Sequence, residues 1–185
     1  VEDNPNTGDL EVTNSDIVTN GTFTNTYNAS VKYDTVGGLN IQKTLVNHAL
    51  SADQFTFVAQ LIDENGDAYG YPVEWKNPAP TSGTSTATWN PFEDGWTFDQ
   101  DDAGQTTRFT VTEKNDGAEG YTYDDAKYTV EVTPIDNHDG TMSVHTKVTK
   151  EGVDEPIFDK TTSADSPETA VLPFVNTYGT DATTD

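Results

Sequence analysis

From Leu39 onward the chain alternates between apolar and polar positions. Leu39, Ile41, Lys43 and Leu45 share one parity; Phe55 and Phe57 share another, continued by Ala59 and Leu61. Phe109, Val111 and Glu113 repeat the pattern, as do Tyr128, Val130 and Val132, and finally Leu172, Phe174, Asn176 and Tyr178. A period of two residues predicts strands with one face turned inward. The Asn65-Gly66 pair within 63–67 predicts a tight hairpin turn. So does Asp139-Gly140, between Val130-Glu131-Val132 and Met142-Ser143-Val144. Residues 78–83 form a Pro- and Gly-bearing loop, followed by four large aromatic residues, Trp89, Phe92, Trp96 and Phe98. No window carries the apolar periodicity and caps of an amphipathic helix, although short turns fit 49–53 and 166–170. Many short strands at regular spacing predict a β-sandwich or barrel.

The first 30 residues are different. They are rich in Asn, Thr, Asp and Gly and too sparse in apolar residues for a core, with one strand-like run at 21–27. They read as an appendage, leaving one domain over 31–180 and a linker at 181–185. Thr22-Phe23-Thr24-Asn25-Thr26-Tyr27 and Pro173-Phe174-Val175-Asn176-Thr177-Tyr178 share Phe-x-Asn-Thr-Tyr at a separation of one domain length. That repetition points to tandem modules, with 1–30 the closing strand and linker of a preceding one.

Charge narrows the partners. Nine basic against 32 acidic residues give a formal charge of −23, which repels nucleic acid and anionic lipid surfaces. The chain contains no cysteine, so any covalent brace must use chemistry other than a disulfide. No stretch approaches a membrane-spanning length, and Val1 opens no signal peptide, so the chain reads as a mature piece of something longer.

The chemistry lies in the parity. Lys43, Glu113 and Asn176 each fall on the apolar face of a strand, yet ionised Lys and Glu are seldom buried without partners. Two readings satisfy this. The residues form a buried Lys–Glu ion pair with Asn beside it, or one strand is shifted by a residue, turning its polar group to solvent.

Gly38-Leu39-Asn40-Ile41-Gln42-Lys43-Thr44-Leu45, Asp53-Gln54-Phe55-Thr56-Phe57, Phe109-Thr110-Val111-Thr112-Glu113, Gly120-Tyr121-Thr122-Tyr123-Asp124 through Val132, and Phe174-Val175-Asn176-Thr177-Tyr178 together resemble, in order, the streptococcal pilin isopeptide-linkage domain family. The resemblance implies an all-β fold, an immunoglobulin-like β-sandwich of the Cna protein B type. It further implies an amide crosslink between Lys43 and Asn176, promoted by Glu113 as the assisting acid. Protonated Glu113 would hydrogen-bond the carboxamide oxygen and relay a proton to the departing amine. Asn25 becomes the candidate crosslink partner of a preceding module. The expected role is a stalk module of a Gram-positive surface pilus or adhesin, extracellular and joined to neighbouring modules. It needs no cofactor or metal and performs no enzymatic turnover beyond its own single crosslinking reaction.

The principal rival is an adhesin module that binds a host glycan or protein through Trp75, Trp89 and Trp96. A glycoside hydrolase with paired carboxylates has no distinguishing spacing in its favour. Asp99-Gln100-Asp101-Asp102 and Asp136-Asn137-His138-Asp139-Gly140 lack the terminal glutamate of a calcium loop, and the three histidines form no ligand motif. Leu172-Pro173-Phe174-Val175-Asn176 lacks the Thr-Gly pair and hydrophobic tail of a sorting signal and reads as the last strand.

Overall fold

A computed structural model describes residues 26–92 and 95–179, with two short strands before them, β1 (Glu2–Asp3) and β2 (Leu10–Glu11), which pair with each other. Asn25, the part of its repeat before Thr26, and residues 180–185 lie outside the described residues. The body contains β3 (Ser30–Lys32), β4 (Leu39–Val46), β5 (Thr56–Leu61), β6 (Val73–Lys76), β7 (Thr86–Trp89) and β8 (Thr97–Asp99). It continues with β9 (Thr107–Glu113), β10 (Tyr121–Thr122), β11 (Lys127–Asp136), β12 (Met142–Lys150), β13 (Phe158–Thr162) and β14 (Ala170–Tyr178).

These strands build an all-β, immunoglobulin-like sandwich. One sheet runs β10-β14-β4-β7 and the other β13-β12-β11-β9-β5-β6; β3 and β8 form a separate ribbon. Aromatic contacts join the two inner faces. Phe57 meets Trp89 at 5.3 Å and Phe174 at 5.1 Å between ring centroids, and Tyr128 meets Phe174 at 5.2 Å. The Tyr128 hydroxyl also crosses the sandwich to donate to the Pro173 carbonyl at 2.6 Å, which answers the polar end of a buried ring.

Both hairpin turns occur. Asp63 accepts from the Asn65 and Asp67 amides across the Asn65-Gly66 turn, and β11 and β12 pair over their full length around Asp139-Gly140. The acidic runs act as local caps. Asp99 and Asp102 exchange bonds in a capping box on the 3-10 turn Gln100–Asp102, while Asp136 accepts from the Tyr27 hydroxyl and the His138 amide. The polar stretches at 72–85 and 152–168 supply the edge strands β6 and β13. Of the short turns foreseen, one forms at Ala52–Asp53 within 49–53, while 166–170 leads into β14 without a turn; a 3-10 turn also occupies Tyr33–Val36. Before it, Ala29 and Val31 are buried in the core.

One pairing positions everything that follows. β14 lies beside β4 in parallel, with Ala170 opposite Leu39 and Phe174 opposite Lys43. Parallel neighbours require a long crossover, and here the crossover is nearly the whole domain. Its register begins at Gly37, with φ of 105°, where an added Cβ would lie 2.1 Å from the Glu168 carbonyl oxygen. Next to it, the Ala170 amide donates to the Gly38 carbonyl at 3.1 Å. Gly37→Ala should therefore cost about 1–3 kcal/mol from the backbone conformation alone, plus displacement of the strand start. Urea denaturation of the purified variant measures the loss.

Candidate crosslinking site

Alternation along three strands delivers Lys43, Glu113 and Asn176 to one buried point. β4, β9 and β14 each bury the parity foreseen for them, and Lys43 and Asn176 are fully enclosed. Register accounts for their proximity. Asn176 stands opposite Leu45 on the strand paired with β4, two residues beyond the position opposite Lys43. At about 3.3 Å of rise per residue the offset lies within reach of an extended lysine stem. Glu113 comes from the facing sheet, where it pairs with Phe57.

Glu113 bridges the other two. Lys43 Nζ donates to Glu113 Oε2 at 2.7 Å, and Asn176 Nδ2 donates to Glu113 Oε1 at 2.7 Å. The sequence reading placed Glu113 on the carboxamide oxygen, and the geometry differs. Asn176 Oδ1 accepts from the Asp124 backbone N–H at 2.8 Å, so the amide turns its nitrogen to the carboxylate. The shifted-strand reading is thereby removed, whereas an ion pair and a reactive triad share this geometry.

Burial shifts both partners toward their neutral forms. Burial pulls the Lys43 amine below its ordinary value, opposed by the hydrogen bond and charge of Glu113. Burial likewise pushes the Glu113 carboxyl up, opposed first by the Lys43 hydrogen bond and charge. Desolvation leads for both, so moving a proton from ammonium to carboxylate relieves two buried charges at once. The resulting free amine is a nucleophile held in a water-poor site beside a carboxamide.

The surroundings are built to hold this arrangement. The Phe55 ring centroid lies 4.6 Å from Lys43 Nζ. Buried Asn77 fixes Phe55 in turn: its Oδ1 accepts from the Phe55 amide at 2.8 Å, and its Nδ2 donates to the Ser51 and Pro78 carbonyls. Asn77 and Asp124 were not singled out in the sequence, because both act through partners distant along the chain. The three tryptophans of the rival reading are half-buried and pack against the core. Trp75 and Trp96 line an apolar groove of about 290 Å³ with Phe92 and Phe109, on the side of the sandwich bearing edge strand β6.

A family model described as FctA, Spy0128-like isopeptide containing domain, matches residues 39–179. No curated protein matches the chain. Among solved structures, the chain is similar to the major pilin of Streptococcus pyogenes at 20% identity and a TM-score of 0.41, with 84% of this chain and 51% of that one covered. The T-13 major pilin of the same organism matches at 18% identity and a TM-score of 0.41, covering 77% of this chain and 52% of that one. The chain thus spans about half the length of these pilins. Among the described residues, no helix is long and apolar enough to cross a membrane.

Proposed function

The chain belongs to the family of Spy0128-like isopeptide containing domains, and from that membership we propose that it is a structural stalk module of a Gram-positive surface pilus or adhesin, closed by a Lys43–Asn176 amide that it forms itself. The observation carrying the proposal is Glu113 held at 2.7 Å from both the amine and the carboxamide nitrogen in a buried site. A structural ion pair would make the same contacts, and family membership favours the reactive reading over it.

The reaction follows from the placement of the two carboxyl oxygens. Lys43 transfers a proton to Glu113, and the neutral amine attacks Asn176 Cγ, forming the new C–N bond. Glu113 gives its proton to Nδ2 and takes one from Nζ, so it ends protonated, keeping one proton net from the original lysine ammonium. The Cγ–Nδ2 bond breaks and ammonia leaves. The product is a neutral secondary amide, which ends the desolvation cost of the buried ion pair. The reaction consumes its own side chains and occurs once per chain. The parent protein is placed outside the cell, its neighbouring modules its partners along the fibre.

Protease digestion followed by mass spectrometry tests the assignment. The expected product is a branched peptide joining the Lys43 and Asn176 segments, lighter than their sum by one ammonia. Recovery of both segments as separate linear peptides from folded protein rejects the crosslink.

A further inference from the structure

Asp124 sits in the loop between β10 and β11 and touches β14 at two points. Its backbone N–H donates to Asn176 Oδ1 at 2.8 Å, and its Oδ2 accepts from the Val175 amide at 2.7 Å. Its Oδ1 accepts from the Ala126 amide at 2.9 Å, which fixes the loop on its other side. The place of these bonds is informative. β10 pairs with β14 only at Tyr121–Tyr178 and Thr122–Thr177, so the ladder stops just short of Val175. Asp124 takes over where the ladder ends and aims a backbone donor at the reacting carboxamide.

We propose that Asp124 is a positioning residue for amide formation, its carboxylate clasping β14 so that its own N–H becomes the oxyanion donor for the Asn176 carbonyl. This deepens, and rests on, the Lys43–Asn176 reading. Attack at Cγ moves the carbonyl π electrons onto Oδ1, where the negative charge then resides. Both Glu113 oxygens are occupied by the attacking and leaving nitrogens, so Glu113 does not serve that charge. The Asp124 N–H lies within the 2.7–3.1 Å range in which such a donor acts. It also orients the ground state: with Oδ1 held there, Nδ2 must face Glu113, the group that protonates it on departure. One residue therefore selects the amide rotamer and stabilises the intermediate. The carboxylate matters because a backbone donor is only as well placed as the loop carrying it, and misplacement by about 1 Å can cost about 100-fold in rate.

The test follows ammonia loss by intact mass in chains refolded by dilution from denatured, unlinked inclusion bodies. Wild-type chains should link through Lys43 and Asn176; wild-type chains that fold but do not link overturn the crosslink itself, independently of Asp124. Given wild-type linking, Asp124→Ala should slow it about 10- to 100-fold with the circular dichroism of the fold retained. Asp124→Asn, which keeps an acceptor for the Val175 amide, should restore most of the rate. Asp124→Ala linking at the wild-type rate, or Asp124→Asn as slow as Asp124→Ala, overturns the proposal. Hydrogen exchange gives a readout that does not depend on how the variants of Asp124 fold. Lys43→Ala and Asn176→Ala chains are both unlinked, but only the first keeps the acceptor. The Asp124 amide should exchange at least about 10-fold more slowly in Lys43→Ala, as expected for about 1.4 kcal/mol of hydrogen-bond protection; equal exchange overturns the contact.

Discussion

Glu113→Gln chains will be heavier than crosslinked wild-type chains by one ammonia and will melt about 10–20 °C lower. Glutamine fills the same space and its one acceptor oxygen can serve one of the two nitrogens, but it cannot take a proton from an amine and return it to a leaving group. The amide does not form, and the chain between its two ends is free to expand on unfolding. Lys43 and Asn176 stand 133 positions apart (176 − 43), and closing a loop of that size restricts the denatured chain by about 5 kcal/mol, by analogy with a disulfide. For a domain of this length, each kcal/mol moves the melting temperature by about 2–4 °C. Intact mass under denaturing conditions and calorimetry measure the two effects together. A Glu113→Gln chain that loses ammonia at the wild-type rate refutes Glu113 as the proton carrier.

Two further substitutions at the site separate the missing bond from stranded charge. Glu113→Ala leaves a buried lysine without its partner, and removal of one member of a buried pair costs about 3–5 kcal/mol on its own. Lys43→Ala strands the acid instead. Burial already raises Glu113 above its ordinary value of 4.5 while the lysine pulls it down, so loss of the lysine raises it further. From 4.5 up to that folded value, the folded state binds a proton that the unfolded state releases. The stability of Lys43→Ala is therefore fullest in acid and falls as pH rises through that window. A crosslinked wild type would have no free amine at Lys43, and its pH profile would lack the lysine's contribution.

The alternation of β4, β9 and β14 put Lys43, Glu113 and Asn176 on the apolar parity, because a period of two admits only two faces, but a one-residue shift stayed open until the register was known. The Asn65-Gly66 and Asp139-Gly140 turns were equally legible, since their backbone requirements are local. What the chain did not disclose was set by distant partners. Nothing in the run Leu39–Val46 says that its neighbour is β14 or that the pairing is parallel; Gly37 permits that register only because the Glu168 backbone comes against it. Asp124 looks like any turn aspartate, and its bond to the Ala126 amide is the ordinary local one. Its contacts with Val175 and Asn176, some fifty residues away, exist only in the folded sheet. The Asn176 amide orientation belongs to the same class: parity buries the side chain, but the Asp124 N–H decides which end faces Glu113.

Under tension the parallel pairing of β4 and β14 produces the largest difference between linked and unlinked chains. A force that enters ahead of Leu39 and leaves after Tyr178 pulls parallel neighbours in opposite directions along their length, loading their backbone bonds in shear. Without a crosslink, failure of that ladder opens the sandwich and releases everything between the two strands. With a Lys43–Asn176 amide, the load passes from β4 to β14 through a covalent bond, and the strands from β5 to β13 carry none of it. Single-molecule pulling from the two termini should therefore show no extension from the segment between Lys43 and Asn176 in the wild type. Lys43→Ala should extend by an additional 133 residues at roughly 3.3–3.6 Å each, or roughly 440–480 Å. A wild-type chain that lengthens by that amount, at forces too low to break an amide, carries its load through hydrogen bonds and has no crosslink between these strands. A wild-type chain that stays short while Lys43→Ala lengthens assigns the mechanical function to the single lysine that alternation places inside β4.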